Sequence, residues 1–214
     1  MSKTMIAVVL DASGSMAGIK QETISAFNKF VEEQKALPGE ALLTLVTFND
    51  RPKVVRDAVD LKAIPALTDD SYRCDGYTAL LDAMGLTIDK IGTKLAALPE
   101  TERPDRAIVV VLTDGHENMS KEYSRERVME MVKHQEEKYA WQFVFLGAGK
   151  DAINQAGALG INSLRAMSYN ATDQGIGKAA ASVSNLVGSY RSVSHEVLGD
   201  YQASFTNEDR TKNQ

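Results

Sequence analysis

Residues 8–18 read VVLDASGSMAG and place an aspartate and two serines directly after an apolar run that begins at Met5. The six apolar residues 5–10 have the length of a buried strand. A carboxylate that ends such a strand must be hydrogen-bonded, ion-paired or bound to a cation, because burying an isolated charge is costly or changes its protonation. We therefore expect Asp11 to have a partner.

A second apolar strand ends in the same way. Residues 107–115 read AIVVVLTDG, and their continuous β-branched run is typical of a strand that is buried on both faces of a parallel sheet. This run ends in Asp114, as the first one ends in Asp11. Two strands of one sheet are therefore predicted to finish in acidic residues.

The remaining apolar patterns alternate between helical and strand periods. Before the second acidic strand they predict a helix over 15–35, a hairpin of strands 41–48 and 53–59, and a helix over 78–98. After it they predict a helix over 124–137, a strand in WQFVFLGAG (141–149), a helix over 151–159, a weak strand over 163–167 and a last helix from 175 or 177 to about 190. We interpret this order as one three-layer α/β domain over residues 1–198, followed by a polar and flexible tail over 199–214.

Composition narrows the classes of function. The chain has 214 residues, and its 24 Lys and Arg against 29 Asp and Glu give a net charge of −5, with no basic block that would follow a nucleic-acid backbone. Cys74 is the single cysteine, which excludes an internal disulfide framework and a cysteine zinc site. No apolar run is long enough to span a bilayer. We expect a cytoplasmic protein that binds neither nucleic acid nor membrane.

The acidic strand ends predict a cation site. In doubly wound sheets, sites form beyond the carboxyl ends of the strands, where the strand order reverses. If the two acidic strands are neighbours, Asp11 and Asp114 face each other there. Ser13 and Ser15 add hydroxyls, and the loop DGYTALLDAM adds Thr78 at the start of its helix. An all-oxygen set suits a hard divalent cation such as Mg²⁺.

The mode of ligation would decide what such a cation does. Helix N-termini carry partial positive charge and repel a cation, so the two aspartates must overcome that repulsion. If the hydroxyls bind the ion directly and the aspartates act mainly through water, the ion keeps most of its charge and an open coordination position. It would then attract a carboxylate from another molecule.

The motifs DASGS (11–15), GYT (76–78) and LTDG (112–115) resemble the metal-ion-dependent adhesion site (MIDAS) of the von Willebrand factor A family. The resemblance covers nearly the whole chain and implies a mostly parallel six-stranded sheet of order 3-2-1-4-5-6 with strand 3 antiparallel. It implies an intact MIDAS of standalone intracellular type, bacterial or phage-encoded, that is a binding module and not an enzyme. Mg²⁺, with Mn²⁺ or Ca²⁺ as alternatives, would engage a Glu or Asp of a partner protein through the ligands Asp11, Ser13, Ser15, Thr78 and Asp114.

Four further residues are expected at the rim of this site: Gly14, Tyr77, His116 and Glu117. Tyr77 departs from the family pattern, which often has a small residue before the threonine, and a tyrosine there would narrow or gate the site. Simple helix capping is the plainest alternative for Asp11 and Ser13.

Enzymatic alternatives fit the motif poorly. A phosphohydrolase with Asp11 as nucleophile needs a second aspartate at position 13, which holds serine. A hydrolase with Ser13 on a strand-to-helix elbow needs glycines at positions 11 and 15, which hold aspartate and serine.

Overall fold

A computed structural model describes residues 3–198 and 201–212. Its strands are β1 (Lys3–Asp11), β2 (Glu40–Phe48), β3 (Pro52–Asp60), β4 (Arg106–Thr113), β5 (Gln142–Ala148) and β6 (Ala166–Tyr169). Its α-helices are α1 (Lys20–Lys35), α2 (Leu80–Ala97), α3 (Arg125–Tyr139), α4 (Ala152–Ala158), α5 (Asp173–Ser192) and α6 (Asn207–Lys212). None of the helices in these described ranges is long and apolar enough to cross a membrane.

The strands form a single sheet in the order β3-β2-β1-β4-β5-β6. Strand β3 runs antiparallel to β2, and all other neighbouring strands are parallel. The predicted fold, including the strand order and the antiparallel third strand, is thereby confirmed. The order reverses between β1 and β4, so the carboxyl ends of these two strands flank the crevice where doubly wound sheets bind ligands.

Helices cover both faces of the sheet, and β1 shows why. Its alternate residues Ile6, Val8 and Leu10 belong to one apolar core, which includes residues of α1 and α5. The intervening residues Met5, Ala7 and Val9 belong to a second core, with residues of α2, α3 and α4. Because side chains of a strand alternate between faces, a continuous apolar run is what a sheet covered on both sides requires.

The predicted element boundaries differ most where short 3₁₀ turns replace regular structure. The helix predicted over 15–35 begins with a 3₁₀ helix, Gly14–Ile19, and becomes α-helical at Lys20. The weak strand predicted over 163–167 begins only at Ala166, because a 3₁₀ turn, Ser163–Arg165, precedes it. Asn162 caps that turn by accepting a hydrogen bond from the backbone N–H of Leu164 at 2.9 Å.

The end of the chain packs against the amino ends of β5 and β6. Ala203 and Phe205 are buried, and the N–H of Ala203 donates to Oε1 of Gln142 at 3.1 Å. The N–H of Phe205 donates to the carbonyl of Leu164 at 2.9 Å. Residues 203 and 205 lie in the polar tail predicted over 199–214, and the flexibility of that tail stays a prediction; residues 199, 200, 213 and 214 lie outside the described residues. The domain boundary at 198 stays a prediction.

Candidate metal centre

The pairing of β1 with β4 fixes the position of Asp11. Leu10 pairs with Leu112 in the parallel register, which sets the end of β1 beside Thr113. The Thr113 hydroxyl donates to Oδ2 of Asp11 at 2.5 Å, and the N–H of Ser13 donates to Oδ1 at 2.7 Å. Asp11 is completely buried. Both of its oxygens therefore have neutral hydrogen-bond donors.

A chain of hydroxyls leads from Ser13 to Asp114. The two Oγ atoms of Ser13 and Ser15 lie 3.1 Å apart, and Ser15 Oγ donates to Oδ1 of Asp114 at 2.6 Å. Because a hydroxyl has a single proton and Ser15 gives its proton to Asp114, Ser13 is the donor in the first bond. Ser13 is buried and Ser15 is exposed, so the chain runs from the interior to the surface.

Thr78 joins this group through the loop that follows β4. Its N–H donates to Oδ1 of Asn118 at 2.9 Å, and the N–H of Asn118 returns a bond to the Thr78 carbonyl at 3.1 Å. A Cβ placed on Gly115 would lie 3.0 Å from Oγ1 of Thr78 and 3.8 Å from Oγ of Ser15. The structure thus brings together all five residues that the sequence predicts as ligands.

The turn between β2 and β3 holds the loop that carries Thr78. The N–H of Tyr77 donates to Oδ1 of Asp50 at 2.6 Å, and Asn49 donates through Nδ2 to Asp75. Gly76 has a φ of +70°, and a Cβ there would lie 2.6 Å from the Asp50 carboxylate. Gly14 donates its N–H to the Gly76 carbonyl at 3.0 Å. Glycine at position 76 therefore lets the loop approach both the turn and the serine motif.

Glu117, which is predicted at the rim of the site, hydrogen-bonds backbone N–H groups of α2 and of the loop after β4. Its Oε2 accepts the N–H of Leu81 at 2.9 Å in the first turn of α2. Its Oε1 accepts the N–H groups of Met119 and Ser120, at 2.8 and 2.7 Å. The carboxylate satisfies helix and loop donors that would otherwise lack partners. Glu117 therefore fastens the loop after β4 to the start of α2.

Asp82 reinforces the same junction. Its side chain is buried, and it accepts three backbone N–H groups, from Lys121, Glu122 and Tyr123, each at 2.9 Å. Its own N–H donates to Oγ of Ser120 at 3.0 Å. Asp82 therefore positions residues 120–123 against the start of α2.

The remaining rim residues are open to solvent. Tyr77 is 62% exposed, and its role in narrowing or gating the site stays a prediction. The side chain of His116 is exposed, and its Nδ1 lies 3.9 Å from Oδ2 of Asp151. Gly14 is exposed beside Ser15. These positions surround the group of five residues without covering it.

Burial governs the electrostatics of the two carboxylates. Desolvation raises the pKa of Asp11, although hydrogen bonds from Thr113 and Ser13 oppose the shift. Desolvation also raises the pKa of Asp114, against the hydrogen bond from Ser15. The hydrogen bonds that these side chains accept in the described part of the chain come from hydroxyls and a backbone N–H, not from a cationic group. Two desolvated carboxylates beside three hydroxyls form a hard-oxygen set that fits a divalent cation.

Sequence reasoning missed two residues that organise this site, Thr113 and Tyr72. Thr113 stands directly before Asp114, at the strand end opposite Asp11, and its position in the register is the signal that points to it. The hydroxyl of the buried Tyr72 donates to the backbone carbonyl of Asp11. Nothing in the sequence around Tyr72 indicates that contact, because 61 residues separate the pair.

The sequence profile of the von Willebrand factor type A domain family matches residues 6–179, which is most of the chain. This chain is a von Willebrand factor type A domain. Such VWA domains are generally interaction modules, not enzymes, and typically bind proteins through a divalent metal at the MIDAS. No curated protein sequence matches the chain.

Solved structures share this VWA fold at low identity. Proximal thread matrix protein 1 from the mussel byssus, with a zinc-occupied MIDAS motif, has a TM-score of 0.61 and 18% identity over 87% of this chain and 46% of its own. The von Willebrand factor type A protein from Catenulispora acidiphila has a TM-score of 0.58 and 13% identity, over 86% and 42%. The PilB minor pilin from Streptococcus sanguinis has a TM-score of 0.53 and 12% identity over 87% of this chain and 61% of its own. The chain spans less than half the length of the first two.

Proposed function

We propose that this VWA domain binds a divalent cation through Asp11, Ser13, Ser15, Thr78 and Asp114, and through that cation a carboxylate of a partner protein. The single observation that carries the proposal is the hydroxyl chain from Ser13 through Ser15 to Asp114, with bonds of 3.1 and 2.6 Å. Groups that a cation would bind are already within hydrogen-bond distance of one another. Little rearrangement would be needed to bind the ion.

Mg²⁺ is the cation we favour, with Mn²⁺ and Ca²⁺ as alternatives. Carboxylate and hydroxyl oxygens are hard donors, and the set contains no imidazole or thiolate that would select a softer metal. Zinc occupies the MIDAS motif of the mussel protein, so Zn²⁺ is a further ion to test. The bound cation would supply Lewis acidity for ligation of a carboxylate.

The residues around the cation site would orient its ligands and leave one side accessible to the carboxylate of a partner protein. Asp11 is held by Thr113 and by the N–H of Ser13, so its carboxylate is oriented before any ion arrives. Ser15 is exposed and Asp114 half-buried, which leaves one side of the group open to a second protein. A Glu or Asp side chain is the partner group that a hard cation attracts most strongly.

These contacts do not support an enzymatic function. The Oγ of Ser13 is bonded to Ser15, and no histidine is among its hydrogen-bond partners in the described part of the chain. His116 lies closest to Asp151, not to a serine. A hydrolase would need a base within hydrogen-bond reach of its nucleophile. Metal-dependent phosphatase or esterase turnover that is lost in Asp11→Asn would nevertheless establish an enzyme.

Calorimetry with Mg²⁺, Mn²⁺ and Ca²⁺ tests the cation site directly. We expect one site in the wild type and at least tenfold weaker binding in Asp11→Ala and Ser15→Ala, because each removes an oxygen from the set. Ser25→Ala and Asp70→Ala are matched controls, since Ser25 and Asp70 are exposed and outside the group of five residues. Unchanged cation affinity in Asp11→Ala would contradict the proposal.

Co-purification with and without chelator tests the partner. Proteins retained on the immobilised domain with Mg²⁺ should be released by EDTA and should not bind Asp11→Ala. A partner held equally well under both conditions would show that binding does not use the cation. Cell fractionation would check the further proposal of a cytoplasmic, standalone domain of bacterial or phage type, which rests on the reduced single cysteine and the resemblance alone.

A further inference from the structure

A cavity of about 340 Å³ opens at the end of the sheet where β1 and β2 begin and β3 ends. Charged side chains dominate its lining: Lys3, Lys35, Lys62, Glu40, Asp60 and Arg191. Four of these are cationic and two are anionic, in a chain whose net charge is −5. The cavity therefore concentrates positive charge against the overall balance of the protein.

The lysines are available to a ligand to different degrees. Lys35 is engaged, because its Nζ lies 2.8 Å from Oε1 of Glu32 and donates to the carbonyl of Ile64 at 3.0 Å. Lys3 and Lys62 form no side-chain ion pair with any residue of 3–198 or 201–212. Both can turn their ammonium groups toward the cavity without breaking an existing contact.

Arg191 lines the cavity and is buried, with 5% of its surface exposed. Its Nη1 donates to the backbone carbonyl of Gln34 at 2.6 Å and to Oε1 of the same residue at 3.2 Å. Its Nη2 donates to the carbonyl of Pro38 at 3.5 Å. All of these acceptors are neutral. A buried guanidinium without a carboxylate is costly unless an anion compensates its charge.

A second buried guanidinium, that of Arg106, is bonded to the backbone of Arg191. Nη1 of Arg106 donates to the backbone carbonyls of Tyr190 and Arg191, at 2.6 and 3.0 Å, and its Nε has no hydrogen-bond partner in the described chain. Burial and the charge of Arg106 lower the pKa of Arg191. The charge of Arg106, which lines a separate cavity, thus adds to that of Arg191, and neither guanidinium has a carboxylate among these acceptors.

We propose that this cavity binds a small anion of the phosphate class, either inorganic phosphate or the phosphate group of a small metabolite. The Nε–H and the second Nη2–H of Arg191, which none of the bonds to Gln34 and Pro38 uses, would supply the paired donors that a guanidinium offers to phosphate oxygens. Lys3 and Lys62 would neutralise the outer oxygens. A volume of about 340 Å³ accommodates phosphate together with a short organic substituent.

The anion cavity is separate from the candidate cation site. Lys3 and Asp11 mark the two ends of β1, and eight residues at ~3.3 Å each put them roughly 26 Å apart. The proposal therefore stands whether or not the domain binds a cation. It also predicts that phosphate binding needs no divalent metal.

Calorimetry with inorganic phosphate and with glycerol 3-phosphate, in buffer passed over a chelating resin, tests the cavity. We expect one site in the full-length wild type, and binding about tenfold weaker in Lys62→Gln and in Lys3→Gln, the loss of one charge-assisted contact. Lys62→Arg should restore most of the affinity. Lys29→Gln is the matched control, because Lys29 is an exposed lysine of α1 outside the cavity.

Several results would overturn the proposal. Absence of binding by both anions, or equal binding by Lys62→Gln, Lys3→Gln and wild type, would exclude the cavity as a phosphate site. Tighter binding of citrate than of either phosphate compound would assign it to carboxylates instead. Sedimentation with phosphatidic acid vesicles, without binding of the soluble anions, would assign the positive patch to a lipid surface.

Discussion

Thr113 on β4 donates its hydroxyl proton to Oδ2 of Asp11 on β1, across 2.5 Å and between residues 102 positions apart in the chain. The contact exists because β1 and β4 are parallel neighbours in a register that brings both strand ends together. It ties the buried acid of the serine motif to the strand that carries Asp114. The geometry of the candidate cation site thus depends on one interstrand hydrogen bond.

We predict that Thr113→Val lowers the free energy of unfolding by about 1–3 kcal/mol, because a buried carboxylate loses a donor. Cation affinity should fall as well, since Asp11 is then free to turn. Urea denaturation and calorimetry with Mg²⁺ measure the two effects. Thr113→Ser keeps the hydroxyl and should preserve both properties. If the valine variant keeps both as well, the hydrogen bond contributes to neither.

Asp82→Asn should destabilise the protein by about 1–3 kcal/mol, because an amide cannot accept all three backbone N–H groups that the carboxylate holds. Asp70→Asn is the control, since Asp70 is an exposed aspartate in the loop before α2. Hydrogen exchange of residues 120–123 reports the change locally. Equal exchange rates in the two variants would refute the role given to Asp82.

Gly76→Ala should cost about 1–2 kcal/mol from its positive φ alone, and more from the approach of the new Cβ to Asp50. Thermal unfolding measures the loss. Gly18→Ala is the control, because a Cβ there meets nothing within 4 Å. Since Gly76 lies two residues before Thr78, the variant should also weaken cation binding. Wild-type stability in Gly76→Ala would mean that the turn between β2 and β3 does not restrain this loop.

Asp57 provides a pH-dependent contribution to stability. Partial burial opposes its ionisation, but hydrogen bonds from Lys94 and Lys90 outweigh that effect and lower its pKa below 3.8. The lowered pKa stabilises the folded state above pH 3.8, and that stability is lost as the pH falls through the folded-state pKa. Because the carboxylate is 39% exposed, solvent screening limits the effect to about 0.5 kcal/mol.

The ion pairs of Asp57 on β3 with Lys90 and Lys94 on α2 can be tested by urea denaturation. The midpoints of wild type and Asp57→Asn should be compared at pH 7 and at acidic pH. The variant should be slightly less stable at pH 7, and the difference should disappear once Asp57 is protonated in the wild type. A difference that persists in acid would point to packing instead of charge. Asp70→Asn, at an exposed loop position, controls for general effects of removing a carboxylate.

The strands and the antiparallel hairpin could be predicted because their determinants are local, whereas the order of the strands follows from the family resemblance. Continuous apolar runs identify the buried strands, and the short turn between the second and third strands favours an antiparallel pair. Boundaries were less accurate where turns compete with regular structure. Gly14–Ile19 forms a 3₁₀ helix without a side-chain cap, and periodicity does not distinguish that turn from the first turn of an α-helix.

The five candidate ligands could be predicted from residue type and strand ends, whereas the contacts that support them could not. Glu117 reaches Leu81 over 36 positions, and Asp50 reaches Tyr77 over 27. Such bonds depend on how two loops meet in space, which no local pattern encodes. The sequence therefore predicts Glu117 only as a rim residue, whereas the structure shows that its carboxylate also caps the start of α2.

The packed chain end has a practical consequence for anyone preparing this domain. Shortening the chain to residue 198, as the fading apolar pattern suggests, would remove the buried Phe205 and leave Gln142 without the amide of Ala203. Stacking of Tyr201 on Tyr190 of α5 would also be lost. The trimmed protein should expose fresh apolar surface and aggregate more readily. Recombinant versions should therefore keep residues 199–214, with any purification tag placed beyond them.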